Sequence, residues 1–317
     1  MGLAIPRPLI AAAMLLLVLS PVTTAAALRI DAERLDEGPI EVEAKRGVLV
    51  EEVTGTWCSV CAEVDPHLAE VADRHGPRLV LVALHPNVGE DGVSTAAADA
   101  RLDRWTAVHG RIDSTPSFIV EGEAPLVGRE AWSDVTRRIL SIEGDRVTAE
   151  GIALRLDIAQ NRLDVTAPAP REGYQTTVML LRHDATAREG AVEVDAGSTY
   201  ARVLTELHIQ NETGAWASTC EGTCLLSPAP EGHFTSALEA SMQFSVILVH
   251  EVADGLVAST ASTLSEGVVE LAVRPSAVAS ADAYRELLIG CFLLAGVAAV
   301  VLPLWPSNQS KELDEEE

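Results

Sequence analysis

The sequence predicts an α/β domain, then an all-β sandwich domain, then a C-terminal transmembrane helix. Three observations carry that prediction. Between Ile40 and Ile142, apolar runs of strand length alternate with helical patterns. From about Asp145 to Ser280, the hydrophobic period changes to two. Close to the end, residues 287–305 read LLIGCFLLAGVAAVVLPLW, an uncharged stretch of nearly the minimum length for a membrane span.

The elements follow in order. Residues 1–27 have the parts of a secretory signal: Arg7, an apolar run from Leu9 to Leu19, and small residues ending at Ala27. In the segment 28–144, Val48-Leu49-Val50 is a short buried-strand run that leads directly into two cysteines. Val64, Leu68 and Val71 then recur at helical spacing until His75-Gly76-Pro77 stops the helix. Arg78 to Leu84 is a second strand run, and a helix is expected from Ser94 as N-cap to Val108. Phe118-Ile119-Val120 is a third strand, and a last helix is expected over Ala131 to Ile142. The order β-α-β-α-β predicts parallel pairing through crossover helices.

In the segment 145–280, Ile152 to Ile158, Val203 to Ile209 and Val269 to Val273 alternate apolar with polar residues. Runs at Thr176 to Leu181, Met242 to Val252 and Leu256 to Thr260 complete an antiparallel, Ig-like sandwich. The transmembrane helix is placed at 286–306, between Arg285 and Lys311, with 307–317 as an acidic cytoplasmic tail. These segments predict a single-pass protein of the cell membrane whose two domains lie outside it. Across the 317 residues, 47 acidic side chains against 23 basic ones give a formal net charge of −24. Such a surface repels phosphate backbones, which argues against a nucleic-acid partner.

The chemistry centres on Trp57-Cys58-Ser59-Val60-Cys61, at the junction of a strand and a helix. A cysteine in the first helical turn meets free N–H groups and the positive end of the helix dipole, which favour the thiolate. Cys58 is therefore expected to attack, and Cys61, one turn on, to resolve the mixed disulfide. The spacing alone also fits a structural disulfide or a zinc site.

Four features resemble the thioredoxin superfamily: the WCxxC unit, Pro66 five residues after the second cysteine, Glu52 six before the first, and Thr115-Pro116 before the strand FIV. The resemblance covers Ile40 to Ile142 and implies a thioredoxin-like fold and a redox-active Cys58–Cys61 pair. It implies that Glu52 passes protons to and from the second cysteine, although the family usually has Asp there. A plain solvent-facing acid is the competing reading of Glu52, and its neighbour Glu51 should point to the opposite face of the strand. The resemblance also implies that Trp57 contacts substrate and that Thr115-Pro116 forms a cis-proline loop pairing with substrate backbone.

Cys220 and Cys224 are expected to form a local structural disulfide, the alternative being a second redox pair or a resolving partner for Cys58, and Cys291 is expected to be an apolar filler of the membrane helix. His67, His75 and His85 are expected at surface or cap positions, so no metal site and no cofactor are expected. The functional expectation is a thiol-disulfide oxidoreductase acting on cysteines of exported proteins, with a membrane electron-transfer partner if it works as a reductant, and contact with the lipid bilayer through the C-terminal helix. The alternative is a surface binding or adhesion protein in which Cys58–Cys61 is a static bridge.

Overall fold

The computed structural model describes residues 29–30 and 38–273, apart from 45–46, 89, 146–148, 150, 190, 192–197 and 261. In the first half, the strands are β1 (Arg29–Ile30), β2 (Ile40–Glu43), β3 (Val48–Val53), β4 (Leu79–Leu84), β5 (Ser117–Val120) and β6 (Leu126–Val127). Helices α1 (Ser59–His75), α2 (Ala96–His109) and α3 (Trp132–Asp145) lie between and after them. The second half begins with β7 (Ala153–Asp157), β8 (Arg162–Thr166), β9 (Tyr174–Arg182), β10 (Ala185–Thr186) and β11 (Thr199–Tyr200). It continues with β12 (Val203–Gln210), β13 (Trp216–Cys220), β14 (Leu226–Ala229), β15 (His233–Ser236), β16 (Phe244–Val252), the short helix α4 (Asp254–Val257) and β17 (Gly267–Val273).

These strands do not sort into two bodies joined end to end. Ten of them form one mixed sheet in the order β1-β17-β16-β9-β12-β4-β3-β5-β6, with β13 paired alongside β12. The join is the parallel contact of β4 with β12, where Val203 pairs with Ala83 and the Ala83 N–H donates to Arg202 O at 2.9 Å. A strand such as β4 leaves unpaired backbone groups on its outer edge, and β12 meets that edge at this one residue pair. A five-stranded antiparallel sheet, β14-β15-β8-β7-β2, also draws on both halves, because β2 pairs with β7 from Ile40↔Leu156 to Glu43↔Ala153.

The expected fold class is therefore corrected. There is no separate thioredoxin-like α/β domain followed by an Ig-like sandwich, because the sheet that carries the dithiol continues into the β-rich half. The membrane expectation is corrected too: among the described residues no helix is long and apolar enough to cross a bilayer, so single-pass anchoring is not supported. Both the apolar run 287–305 and the signal-like residues 1–27 lie outside the described residues. Locally, Leu256 to Thr260 is not a strand. The chain turns into α4, whose first residue donates its N–H to Gln175 Oε1 at 2.9 Å while Ala253 N–H donates to Gly173 O.

Strand parity decides the layers. Val48, Val50, Leu79 and Leu81 project to the face covered by α1 and α3, where they meet Val64, Leu68, Val135 and Ile139. Farther along the same face, Val178, Leu180, Val246, Leu248 and Leu271 pack against the second sheet through Leu154, Leu156, Leu163 and Phe234. The opposite face is covered by α2, and its core takes residues from both halves: Leu49, Val53, Val80 and Val82 with Met179, Leu181, Ile247 and Val249. The N-cap of α2 is Thr95 and not Ser94. Its hydroxyl accepts from Ala98 N–H at 3.0 Å and donates to Leu204 O of β12 at 2.6 Å, so one side chain caps the helix and ties it to the second half.

Beneath α2 lies a buried ion cluster. Arg101 donates to Glu51 Oε1 of β3 at 2.6 Å and to Glu251 Oε1 of β16 at 2.7 Å, and all three side chains are almost fully buried. The Trp105 indole N–H donates to Glu51 Oε2 at 2.9 Å, and Arg104 pairs with both Glu251 and Asp254. Thr177 Oγ1 donates to Glu251 at 2.6 Å. Burial alone would raise the Glu251 pKa, but the charges of Arg101 and Arg104 and these hydrogen bonds outweigh it and hold the group at about 2. Truncating Arg101 strands two buried carboxylates, so Arg101→Ala is expected to cost about 3–5 kcal/mol in urea unfolding. A single cooperative transition is expected, because both halves share one sheet. A depressed carboxyl pKa stabilises the fold above its unfolded value of about 4.3. That contribution is expected to disappear as pH falls from there toward 2, which an acid titration of the unfolding midpoint would measure.

Candidate functional site

The dithiol sits where β3 ends and α1 begins, at the edge of the layer that α1 forms on the sheet. Cys58 is the N-cap of α1, with extended backbone (φ −89°, ψ 102°), and its Sγ accepts from the Cys61 N–H at 3.1 Å. The first turn carries no acidic side chain that would compete for those donors. Cys58 and Cys61 are joined in a disulfide with their Cα atoms 5.2 Å apart. The two sulfur-bearing residues differ in access: Cys58 is 8% exposed and Cys61 only 1%.

The loop between β3 and α1 is fixed by Asp91. Its carboxylate accepts from Thr56 N–H at 2.9 Å, from Val93 N–H at 2.8 Å and from the His85 ring at 3.0 Å. Burial would push the Asp91 carboxyl up, yet the His85 hydrogen bond and charge, helped by the two amides, hold it below the usual carboxylate range. Thr56 returns a contact by accepting from Gly92 N–H at 2.9 Å. His85 is thus not a surface residue; it is 2% exposed. His75, in the last turn of α1, pairs with Glu143, and His67 is exposed.

Trp57 is half-buried, and its indole N–H donates to Val88 O at 3.0 Å. Gly55 makes room for it, since a Cβ there would come within 2.9 Å of the indole. Val60 and Val88, 38% and 58% exposed, leave apolar surface beside the disulfide. Thr115-Pro116 has a cis peptide bond. It directly precedes β5, whose Ser117 pairs with Val53 at the end of β3, so register places Pro116 at the same end of the sheet as the dithiol. Cys220 and Cys224 form a second disulfide, Cα atoms 5.7 Å apart, at the end of β13. Cys291 lies outside the described residues.

Glu52 is buried, 2% exposed, and faces α1 while Glu51 faces α2. The solvent-facing reading of Glu52 is therefore excluded. Burial, then the charge of Asp65 and a hydrogen bond to it, raise the Glu52 pKa well above the usual carboxylate value, against a weaker opposing pull from Arg202. Asp65 lies on α1 four residues after Cys61, on the same helix face. Its pKa is also raised by burial, although hydrogen bonds from Glu52 and Thr54 and the charge of His85 pull the other way.

Both carboxyl groups line a cavity of about 400 Å³ together with His85, Tyr200 and Arg202. Pro66, inside α1, withholds the N–H that Ala62 O would otherwise accept, and both residues line the same cavity. Asp65, Asp91, Tyr200 and Arg202 carry no motif in the sequence, and His85 stood out there only as one of three histidines expected at surface or cap positions.

No family model matches the sequence, and no curated protein matches it. Among solved structures, it is similar to HBP35 of Porphyromonas gingivalis, with 16% identity, a TM-score of 0.47, and coverage of 74% of this chain and 78% of that one. A structural-genomics protein of Agrobacterium tumefaciens gives the same identity, TM-score and coverage of this chain, with 96% of its own length covered.

The difference in access generates a prediction. After reduction of the folded protein, iodoacetamide is expected to label Cys58 before Cys61, as read by peptide mass mapping over a time course.

Proposed function

We propose that Cys58 and Cys61 are a redox-active pair that exchanges disulfides with the cysteines of other proteins. The observation that carries this reading is the Cys58–Cys61 disulfide at the N-terminus of α1, with the more accessible sulfur at the cap and the buried one turned inward. Further support comes from the residues by which the site resembles the thioredoxin superfamily: a buried carboxyl at Glu52, a cis Thr115-Pro116 bond at the same sheet end, and Trp57 beside the pair.

In the reducing direction, the Cys58 thiolate attacks a sulfur of a substrate disulfide. A mixed disulfide forms, and the first substrate thiolate leaves. Cys61 gives up its proton and attacks Cys58 Sγ, so the second substrate thiolate leaves and the protein pair becomes a disulfide. Two electrons pass from the protein dithiol to the substrate; the oxidising direction is the reverse. The α1 terminus stabilises the Cys58 thiolate as attacker and as leaving group in both directions, through the Cys61 N–H and the helix dipole. The apolar rim of Trp57, Val60 and Val88 suits an unfolded or extended polypeptide better than a small charged thiol.

Replacing Cys61 with Ser leaves the attacking sulfur and removes the resolving one. Cys61→Ser is expected to accumulate mixed disulfides through Cys58 with an oxidised, scrambled-disulfide protein substrate, seen as reducible bands on gels; Cys58→Ser should form none. The wild-type pair is expected to have a reduction potential above about −300 mV, measured against a glutathione buffer. A value below that, with no trapped species, would make the bridge structural.

A further inference from the structure

Resting on the redox reading of Cys58–Cys61, we infer that Asp65 is a second member of the site's acid–base machinery: Glu52 and Asp65 share one proton and together take up and return the proton of Cys61. Asp65 follows Cys61 by four residues on α1, so both side chains leave the same face of the helix, and that face lies against Glu52 of β3. The two carboxyls act on each other: the charge of Asp65 and a hydrogen bond to it raise the Glu52 pKa, and the same hydrogen bond pulls the Asp65 pKa the opposite way.

Among the described residues, no other donor reaches Glu52 Oε1 or Asp65 Oδ1, and both atoms are buried. Two adjacent carboxylates without donors repel each other at close range; a single proton held between them removes the repulsion and satisfies both. Asp65 Oδ2 meanwhile accepts from Thr54 Oγ1 at 3.2 Å, which keeps this carboxylate the more acidic partner.

The surroundings set the charge of the pair. From the strand ends, His85 and Arg202 supply positive potential at Asp65 and Glu52 respectively, while Asp73 and Asp91 engage those same two side chains. Tyr200 lines the cavity, and its phenol pKa is raised by burial and then by Asp91 and Asp65. The pair therefore carries one net negative charge in a desolvated pocket, and the uptake of one further proton removes that charge.

During closure of the disulfide, the Cys61 thiol proton passes to the carboxyl pair as Cys61 attacks Cys58 Sγ. The substrate thiolate leaves, and the neutral pair then releases its extra proton toward the cavity. In the opposite direction, the pair returns a proton to the Cys61 thiolate as a substrate thiolate opens the bridge. A lone Glu52 would do the same with a weaker base, because the neighbouring charge that lifts its proton affinity would be gone.

The test uses the full chain carrying a Cys58–glutathione mixed disulfide and follows glutathione release against pH. Glu52→Gln is expected to slow release at pH 7 on the order of a hundredfold and to flatten its pH dependence. Asp65→Asn is expected to move the midpoint of the pH profile down and lower its plateau, and Asp65→Glu to restore the profile. Thr54→Val keeps both carboxyls but removes the hydroxyl that favours the Asp65 anion, so it is expected to move the midpoint up. This opposite shift remains readable if Asp65→Asn does not fold. Wild-type midpoints in both folded variants would overturn the role of Asp65. Failure of the wild-type protein itself to release glutathione would overturn the redox reading instead.

Discussion

Arg101 holds Glu51 and Glu251 in the interior, two carboxylates that are 200 positions apart in the chain. A guanidinium presents its donors in a planar fork, and here each side of the fork meets an oxygen pair from a different half of the molecule. Three desolvated charges are costly to collect unless each is satisfied, and Trp105, Thr177, Gln175 and Arg104 supply the remaining partners. The cluster therefore specifies one arrangement of α2 over one continuous sheet. Independent motion of the two halves would break it.

That constraint bears on the dithiol because β3 carries both kinds of carboxyl. Successive residues of a strand point to opposite faces. Glu51 is fixed by Arg101 beneath α2, while Glu52 stands on the other face beside Asp65 and the cavity. Fixing the first fixes the strand, and so sets the position of the second. The loop that follows is held by Asp91 and Thr56, so Cys58 is presented on a frame clamped from the sheet and from the loop.

Local periodicity made much of the secondary structure legible. The runs at 48–50, 78–84 and 118–120 correspond to β3, β4 and β5, and the spacing after Cys58 to α1. What it could not show is which edges meet. The pairing of β2 with β7, and of β4 with β12, depends on contacts between residues about 110 to 120 positions apart, and hydrophobic alternation reads the same whether a strand sits in one sheet or another. At the site, Asp65 was accessible from sequence through its spacing of four from Cys61. The clamp of His85 on Asp91 was not, because it joins a strand end to a loop without regular period. Arg202 and Tyr200 arrive from the second half and become visible only once β12 is seated beside β4.

The seating of β12 against β4 also has a consequence for assembly. A chain made from its N-terminus leaves the outer flank of β4 unpaired until Val203 is synthesised, whereas Cys58 and Cys61 come well before it. During that interval the unpaired flank is a docking edge for any other extended polypeptide, and the cavity beside Glu52 and Asp65 lacks Tyr200 and Arg202. Late closure of the sheet therefore couples completion of synthesis to completion of the cavity around Glu52 and Asp65, and a truncated product would be sticky and would lack that wall.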